Sequence, residues 1–207
     1  MEDKKPMATA CVSEVIQQLR KTALGDGSGR TDGELLEAFA GRRDAGALAA
    51  LVQRHGAMVW GVCQRVLRCH HDVEDAFQAT FLVFVRKAAT IRHKEMVGNW
   101  LYGVAHQTAI RARALAARRG VRERQVAQMP EPGVGGEETW NDLQPLVDEE
   151  LSRLPDKYRT LVVLCDLEGR TRKEAARQLG CPEGTVAGRL ARARTMLAKR
   201  LARRGLA

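Results

Sequence analysis

Thr171-Arg172-Lys173-Glu174-Ala175-Ala176-Arg177-Gln178-Leu179-Gly180-Cys181-Pro182-Glu183-Gly184-Thr185-Val186-Ala187-Gly188-Arg189 is the stretch on which the fold turns. Thr171 and Glu174 have capping-box spacing: the hydroxyl takes an orphan backbone N–H and the carboxylate reaches back. The spacing predicts a short helix over 172–179, ended by Gly180 as a left-handed C-cap. Pro182 suits the first turn of the next helix. Val186, Leu190, Ala193, Leu197 and Leu201 then recur at helical spacing as its buried stripe. Two helices across a short Gly-containing turn, the second rich in arginine, read as a helix-turn-helix.

Such a motif places the N-terminal residues of its second helix in a major groove about 12 Å wide. Here that end offers Glu183, Gly184, Thr185, Gly188 and Arg189. The small residues permit close approach, Arg189 suits guanine and Glu183 suits cytosine. Arg172, Lys173 and Arg192 are placed for phosphates. The plainer reading is a helical hairpin with a solvated arginine face. Arg194, Lys199, Arg200, Arg203 and Arg204 are less specific and count as general positive charge.

Upstream, Leu151, Leu154, Tyr158, Leu161, Val162 and Cys165 form one apolar stripe. Before it the charge changes sign. Residues 111–124 carry six Arg and one Glu, whereas 125–150 carry seven acids and no Lys or Arg. Pro130, Pro132, Gly133, Gly135, Gly136 and Pro145 share that acidic stretch, so it reads as a flexible linker over 119–145. The expected organisation is all-α. A tail over 1–30 with a short helix near Val12–Leu19 comes first. A helical bundle over 31–118, the acidic linker and a helix-turn-helix bundle over 146–204 follow.

Four helices are predicted in the first bundle. Thr31-Asp32-Gly33-Glu34 is another capping box. Leu48, Leu51, Val52, His55, Val59, Val62 and Val66 predict a long helix over 45–69. Val73, Phe77, Phe81, Phe84 and Ala88 mark a helix over 72–89. Val97, Trp100, Leu101, Val104, Ala105 and Thr108 mark a fourth, which runs into the arginine block. Asn99-Trp100-Leu101-Tyr102 lies between Arg92-His93-Lys94 and that block, a mixture that suits unpaired bases and their backbone. Trp100 is also in phase with the core. Asp72-Val73-Glu74-Asp75 places carboxylates at a helix start, where they cap; they also make a surface for a basic protein partner.

Composition narrows the function. The chain has 207 residues with a net charge of +9, and 26 of its 34 basic residues are arginine, which suits phosphate and base edges. Aromatics make up 4%, which argues against a β-sandwich or barrel. No apolar run approaches the length of a membrane span. The break at Glu14 speaks against a secretory leader. Five scattered cysteines without a C-x-x-C pair fit a reducing, cytoplasmic setting. Cys69, His70 and His71 are adjacent and cannot all face one tetrahedral ion, so no metal and no cofactor is expected. The carboxylates lack a nucleophile or a phosphate loop beside them, so no enzyme is expected either.

Four separate motifs carry a resemblance. They are Asp72–Leu82 (DVEDAFQATFL), Asn99–Ala105 (NWLYGVA), Leu154–Arg159 (LPDKYR) and Gly180–Arg194 (GCPEGTVAGRLARAR). Together, and in this order over about 31–204, they resemble a bacterial RNA polymerase sigma factor of the sigma-70 family, extracytoplasmic-function group. The resemblance implies that Asp72, Asp75, Gln78 and Phe81 bind core RNA polymerase. It implies that Arg92, His93, Lys94, Asn99, Trp100 and Tyr102 melt the −10 element and hold its single strand. It implies that Arg172, Lys173, Glu183, Gly184, Thr185, Gly188, Arg189 and Arg192 read the −35 element as duplex promoter DNA. The acidic linker matches a segment threaded through the polymerase, and an anti-sigma factor is a further candidate partner. Ala79 stands where the family commonly has Glu, and Ala187 and Gly188 where it often has larger residues. The alternative is a stand-alone helix-turn-helix regulator with an N-terminal interaction module; it needs neither a melting segment nor the acidic helix.

Overall fold

The computed structural model describes residues 29–126 and 138–205. Eight α-helices and no strand occur among them: α1 (Asp32–Arg42), α2 (Ala45–Val66), α3 (His70–Lys87), α4 (Val97–Val126), α5 (Glu138–Ser152), α6 (Asp156–Val162), α7 (Arg172–Leu179) and α8 (Glu183–Ala202). Short 3-10 turns at Ala88–Thr90 and Lys94–Met96 join α3 to α4. A π-helical turn at Val163–Leu167 follows α6 directly.

Local chemistry explains the starts and stops. Thr31 and Glu34 form the predicted capping box at α1, with Oγ1 accepting from Glu34 N at 3.2 Å and Oε2 accepting from Thr31 N. Asp44 caps α2 by accepting from Gly46 N and Ala47 N. Thr171 and Glu174 repeat the box at α7, and Gly180 closes that helix at φ +60°. Pro182 sits one place earlier than expected, as the N-cap of α8.

Helix α2 is the spine. Leu48, Leu51, Val52, His55, Val59, Val62 and Val66 are all buried, as their period predicts. It packs on α1, α3 and α4, and also on α5 from the second half. Helix α8 packs on α5, α6 and α7, and buries Val186, Leu190 and Ala193. The two bundles are not independent. The apolar core runs on from Leu101 and Tyr102 to Leu151, Leu161 and Leu164.

Three expectations change. The stripe over 151–165 is split: Leu151 ends on α5, and Pro155, with its restricted φ, starts α6. The linker expectation over 119–145 also shortens. Helix α4 continues to Val126 and α5 begins at Glu138, with Pro145 inside it. Residues 119–126 and 138–145 are thus helical, and 127–137 lie outside the described residues, as does the expected helix near Val12–Leu19. Phe81, expected as a polymerase contact, is 1% exposed and stacks edge-on against Phe77. Its i, i+3, i+6 relation to Asp75 and Gln78 turns it round to the core side of α3.

Gly180 has the left-handed conformation with nothing within 4 Å of an added Cβ. Gly180→Ala therefore meets backbone strain alone. It is expected to cost about 1–2 kcal/mol, read as a lower thermal midpoint of the full chain with an unchanged helical spectrum.

Candidate nucleic-acid interface

The α7–α8 motif presents one open face. Arg172, Lys173, Glu183, Gly184, Gly188, Arg189 and Arg192 are exposed and Thr185 is half-buried, while Val186 and Leu190 point into the core. Nothing lies within 4 Å of a Cβ built on Gly184 or Gly188, so a groove wall is free to approach the helix backbone there. The Arg192 guanidinium beside the Tyr158 hydroxyl lowers the pKa of that phenol, and charge from Lys157 and Arg189 adds to the effect. Arg194 instead pairs with Asp166 at 2.5 Å, turned away from this task.

The 92–102 segment is divided. Arg92, His93 and Lys94 are exposed, and Lys94 Nζ reaches Glu37 at 2.6 Å. Trp100 is half-buried against Phe84. Asn99 and Tyr102 are buried, contrary to their expected exposure to a DNA strand. Arg159 of α6 donates to Asn99 Oδ1 at 3.0 Å. The Tyr102 hydroxyl donates to the Asp148 carbonyl at 3.0 Å and lies 3.1 Å from Oδ1 of the same residue. Burial and the neighbouring Asp148 carboxylate push the Tyr102 phenol far above its ordinary range.

On α3, Asp75 and Gln78 are exposed. Asp72 is partly covered and lies 3.4 Å from Arg119 of α4. The adjacent His70 packs edge-on against Trp60 and lies 3.5 Å from Glu74.

A buried charge cluster joins the two halves. His55, on the apolar stripe of α2, has no exposure. Its Nδ1 lies 2.7 Å from Glu168 Oε1, just past the π-turn. Its Nε2 lies 3.2 Å from Asp32 Oδ2, off the line of a good hydrogen bond. Arg54 donates to Asp32, Arg170 lies 3.4 Å from Glu168, and Gln178 of α7 donates to Asp32 Oδ2 at 3.2 Å. Burial works against a charged imidazole, yet Asp32 and Glu168 prevail and raise the His55 pKa to about 9. Burial likewise opposes the Asp32 carboxylate, but His55 and Arg54 hold its pKa well below the usual range.

Family profiles match both halves of the chain. The profile for sigma-70 region 2 covers residues 51–119, and that for sigma-70, region 4 covers 145–197. The chain is 32% identical over 173 residues to the ECF RNA polymerase sigma factor SigM of Mycobacterium tuberculosis, covering 83% of this chain and 85% of that one. It belongs to the extracytoplasmic-function group of sigma-70 factors. The ECF RNA polymerase sigma-E factor of Haemophilus influenzae is 29% identical over 169 residues, covering 76% of this chain and 89% of that one. The solved structure of CnrH in complex with the cytosolic domain of CnrY is 23% identical over 83% of this chain and 97% of that chain, with a TM-score of 0.41.

The family makes this sigma factor a transcription initiation factor that directs polymerase to promoters. No helix among its described residues is long and apolar enough to cross a membrane. The residues that sequence reading missed are those of the seam: Asp32, Asp148, Arg159 and Glu168. Their one sequence-level trace is His55, a titratable side chain in an otherwise apolar stripe.

The seam of this sigma factor has a defined pH dependence. His55 has a folded pKa of about 9 against an ordinary 6.5. Its stabilisation is therefore complete below pH 6.5 and is lost as pH rises through 9. Asp32 acts in the opposite sense: its share is present above its ordinary 3.8 and disappears on strong acidification. The thermal midpoint of the full chain is expected to fall between pH 6.5 and 9.5. His55→Gln is expected to flatten the part of that fall due to this residue, and parallel curves would contradict the assignment.

Proposed function

We propose that the chain binds core RNA polymerase through α3, opens the −10 element with the 92–102 segment, and reads the −35 element with the α7–α8 motif. The observation that supports this most is the α8 face. Its N-terminal half pairs two open glycines with exposed Arg189 and Arg192, while the opposite face is core. In this reading Arg189 reads a base, Arg192 a phosphate, and Arg172 and Lys173 hold the backbone ahead of them. Glu183, Gly184, Thr185 and Gly188 line the approach.

On α3 the polymerase contacts are Asp75 and Gln78, with Asp72 at the margin beside Arg119. Arg92, His93 and Lys94 are exposed cations suited to a displaced strand. Asn99, Trp100 and Tyr102 complete that surface once it is uncovered, because a flipped base needs a stacking partner to offset its lost stacking. The residues over 31–118 and 146–204 thus take the two promoter elements, and 119–145 spans between them. The family rules out a stand-alone regulator, which would also give no role to the α3 acids or to the 92–102 cations.

Two expected outcomes test this reading. Arg189→Ala should cost about 1–3 kcal/mol of −35 duplex affinity and relax preference at one base pair. Arg192→Ala should weaken all duplexes alike and reduce the slope of log affinity against log salt by about one. Filter binding across duplexes selected from a random pool measures both, and uniform loss from Arg189→Ala would reverse the assignment. Second, Asp75→Ala with Gln78→Ala should lower affinity for core polymerase, whereas Lys94→Ala should preserve that affinity and lower run-off transcription, with partial rescue on a pre-melted template. Rescue of the α3 variant in place of Lys94→Ala would show the two surfaces exchanged.

A further inference from the structure

Tyr158 stands on the first turn of α6, at one end of the apolar stripe, and is only partly a core residue. Its ring packs against the core, yet the residue is half-buried and its hydroxyl opens to solvent. Helix α6 packs along α8, so that hydroxyl emerges beside the recognition face. The Arg192 guanidinium lies next to it, and Lys157 and Arg189 are the other charges that act on it. Lys157 Nζ stands over the face of the Tyr158 ring, 5.1 Å from its centre. Arg189 and Arg192 are three residues apart on α8 and share one side of that helix.

Three cations thus converge on one hydroxyl. Lys157, Arg189 and Arg192 are all exposed, and none of them is in an ion pair among the described residues. Two acids close by in sequence are committed elsewhere: Asp156 pairs with Arg159 at 2.5 Å, and Asp166 pairs with Arg194. Like charges gathered in this way repel one another. A phosphate supplies what the group lacks, a negative charge and several acceptor oxygens. The donors suit it: an ammonium with three N–H, a planar guanidinium fork and one phenol O–H. The same cations lower the pKa of the phenol, and a more acidic O–H is a stronger donor to an anion.

We propose that Lys157 and Tyr158 of α6 join Arg192 of α8 in a clamp on one backbone phosphate of the duplex that α8 reads, with the phenol O–H donating to the phosphate and Arg189 left for the base. This rests on the reading of the α7–α8 motif as the −35 surface. It carries the duplex footprint beyond that motif, onto a helix that sequence spacing assigned to the core alone. A contact from α6 ties the recognition helix to a second fixed point on the backbone, and two such points set the angle at which α8 enters the groove. Phosphate contacts fix register and carry no base information directly, so the clamp adds affinity without preference.

The test uses the full chain with Lys157→Gln and with Tyr158→Phe. Lys157 is exposed, and phenylalanine keeps the ring that packs; circular dichroism checks that both variants retain the fold. Fluorescence anisotropy in a salt series reads binding of labelled duplexes that the wild type selects from a random pool. Lys157→Gln is expected to weaken every duplex alike and to reduce the slope of log affinity against log salt by about one, so that its deficit widens about four-fold when salt is lowered four-fold. Tyr158→Phe is expected to bind about ten-fold more weakly with the slope unchanged, because it loses a hydrogen bond to a charged group and no charge. Duplexes carrying single methylphosphonates locate the phosphate. At one position the neutral linkage should weaken the wild type and leave both Lys157→Gln and Arg192→Ala unaffected.

The clamp is overturned if Lys157→Gln keeps the wild-type slope, if Tyr158→Phe binds as tightly as the wild type, or if Lys157→Gln and Arg192→Ala lose sensitivity at different phosphates. Arg189→Ala on the same duplexes tests the −35 reading itself. A wild type without duplex preference overturns that reading and the clamp with it. A preference that depends on Arg189, beside a Lys157→Gln variant that binds as the wild type does, overturns the clamp alone.

Discussion

An imidazolium sealed between two carboxylates ties the halves of this molecule together. His55 comes from the spine helix, Asp32 from the first turn of α1 and Glu168 from the turn before α7. None of the three is tenable there alone. A buried unpaired charge costs several kcal/mol, so removing either acid leaves the imidazole to neutralise, and removing His55 leaves two carboxylates facing each other. Arg54 and Arg170 balance the second negative charge. The cluster thus works as a registration device. It adds charge pairing to the apolar core that runs across the same seam from Leu101 and Tyr102 to Leu151, Leu161 and Leu164.

The second bundle owes its shape to small residues. Ala175 and Ala176 are buried on α7 and Ala193 on α8, and such side chains let helix backbones come close. That closeness keeps the turn at Gly180–Pro182 short and fixes the angle at which α8 projects. On the exposed side, Gly184 and Gly188 leave the backbone open to a groove. The same economy of side chain therefore packs one face and clears the other, at some cost in helix propensity over Gly184–Gly188.

What was legible in the sequence is local in origin. Capping boxes at Thr31 and Thr171, the glycine stop at Gly180 and the seven-residue stripe of α2 rest on contacts within a few residues, so spacing alone reveals them. The seam is not local. His55 and Glu168 are 113 positions apart, and Asn99 and Arg159 are 60 apart. No periodicity encodes such pairs. Asn99 and Tyr102 looked like exposed nucleic-acid contacts because their residue types suit that task, and burial by another bundle leaves no mark on type. Phe81 was legible in angle, since its phase on α3 pointed inward. The linker misread has a different cause: Pro145 weighed as a breaker, but a proline forfeits one helical hydrogen bond and tertiary packing of Leu146–Leu151 against α2 and α8 offsets that loss.

The acidic stretch shows how the chain disposes of its excess positive charge. Its end, Asp148-Glu149-Glu150, meets Arg65 of α2 and Arg153 beside it, and Arg200 and Arg204 at the far end of α8. Asp148 is 1% exposed, whereas Arg204 and Glu149 are each about a third exposed. The first pair is therefore little screened by salt and the outer ones are screened strongly. These acids sit on α5 and meet α2 and the C-terminal end of α8, away from Arg189 and Arg192. The helix dipole is also positive at the N-terminal end of α8. Neutralisation at one end and an unneutralised, dipole-reinforced field at the other give α8 a direction: attraction to phosphate is strongest where the open glycines permit contact, and weakest where the helix is anchored to the rest of the fold.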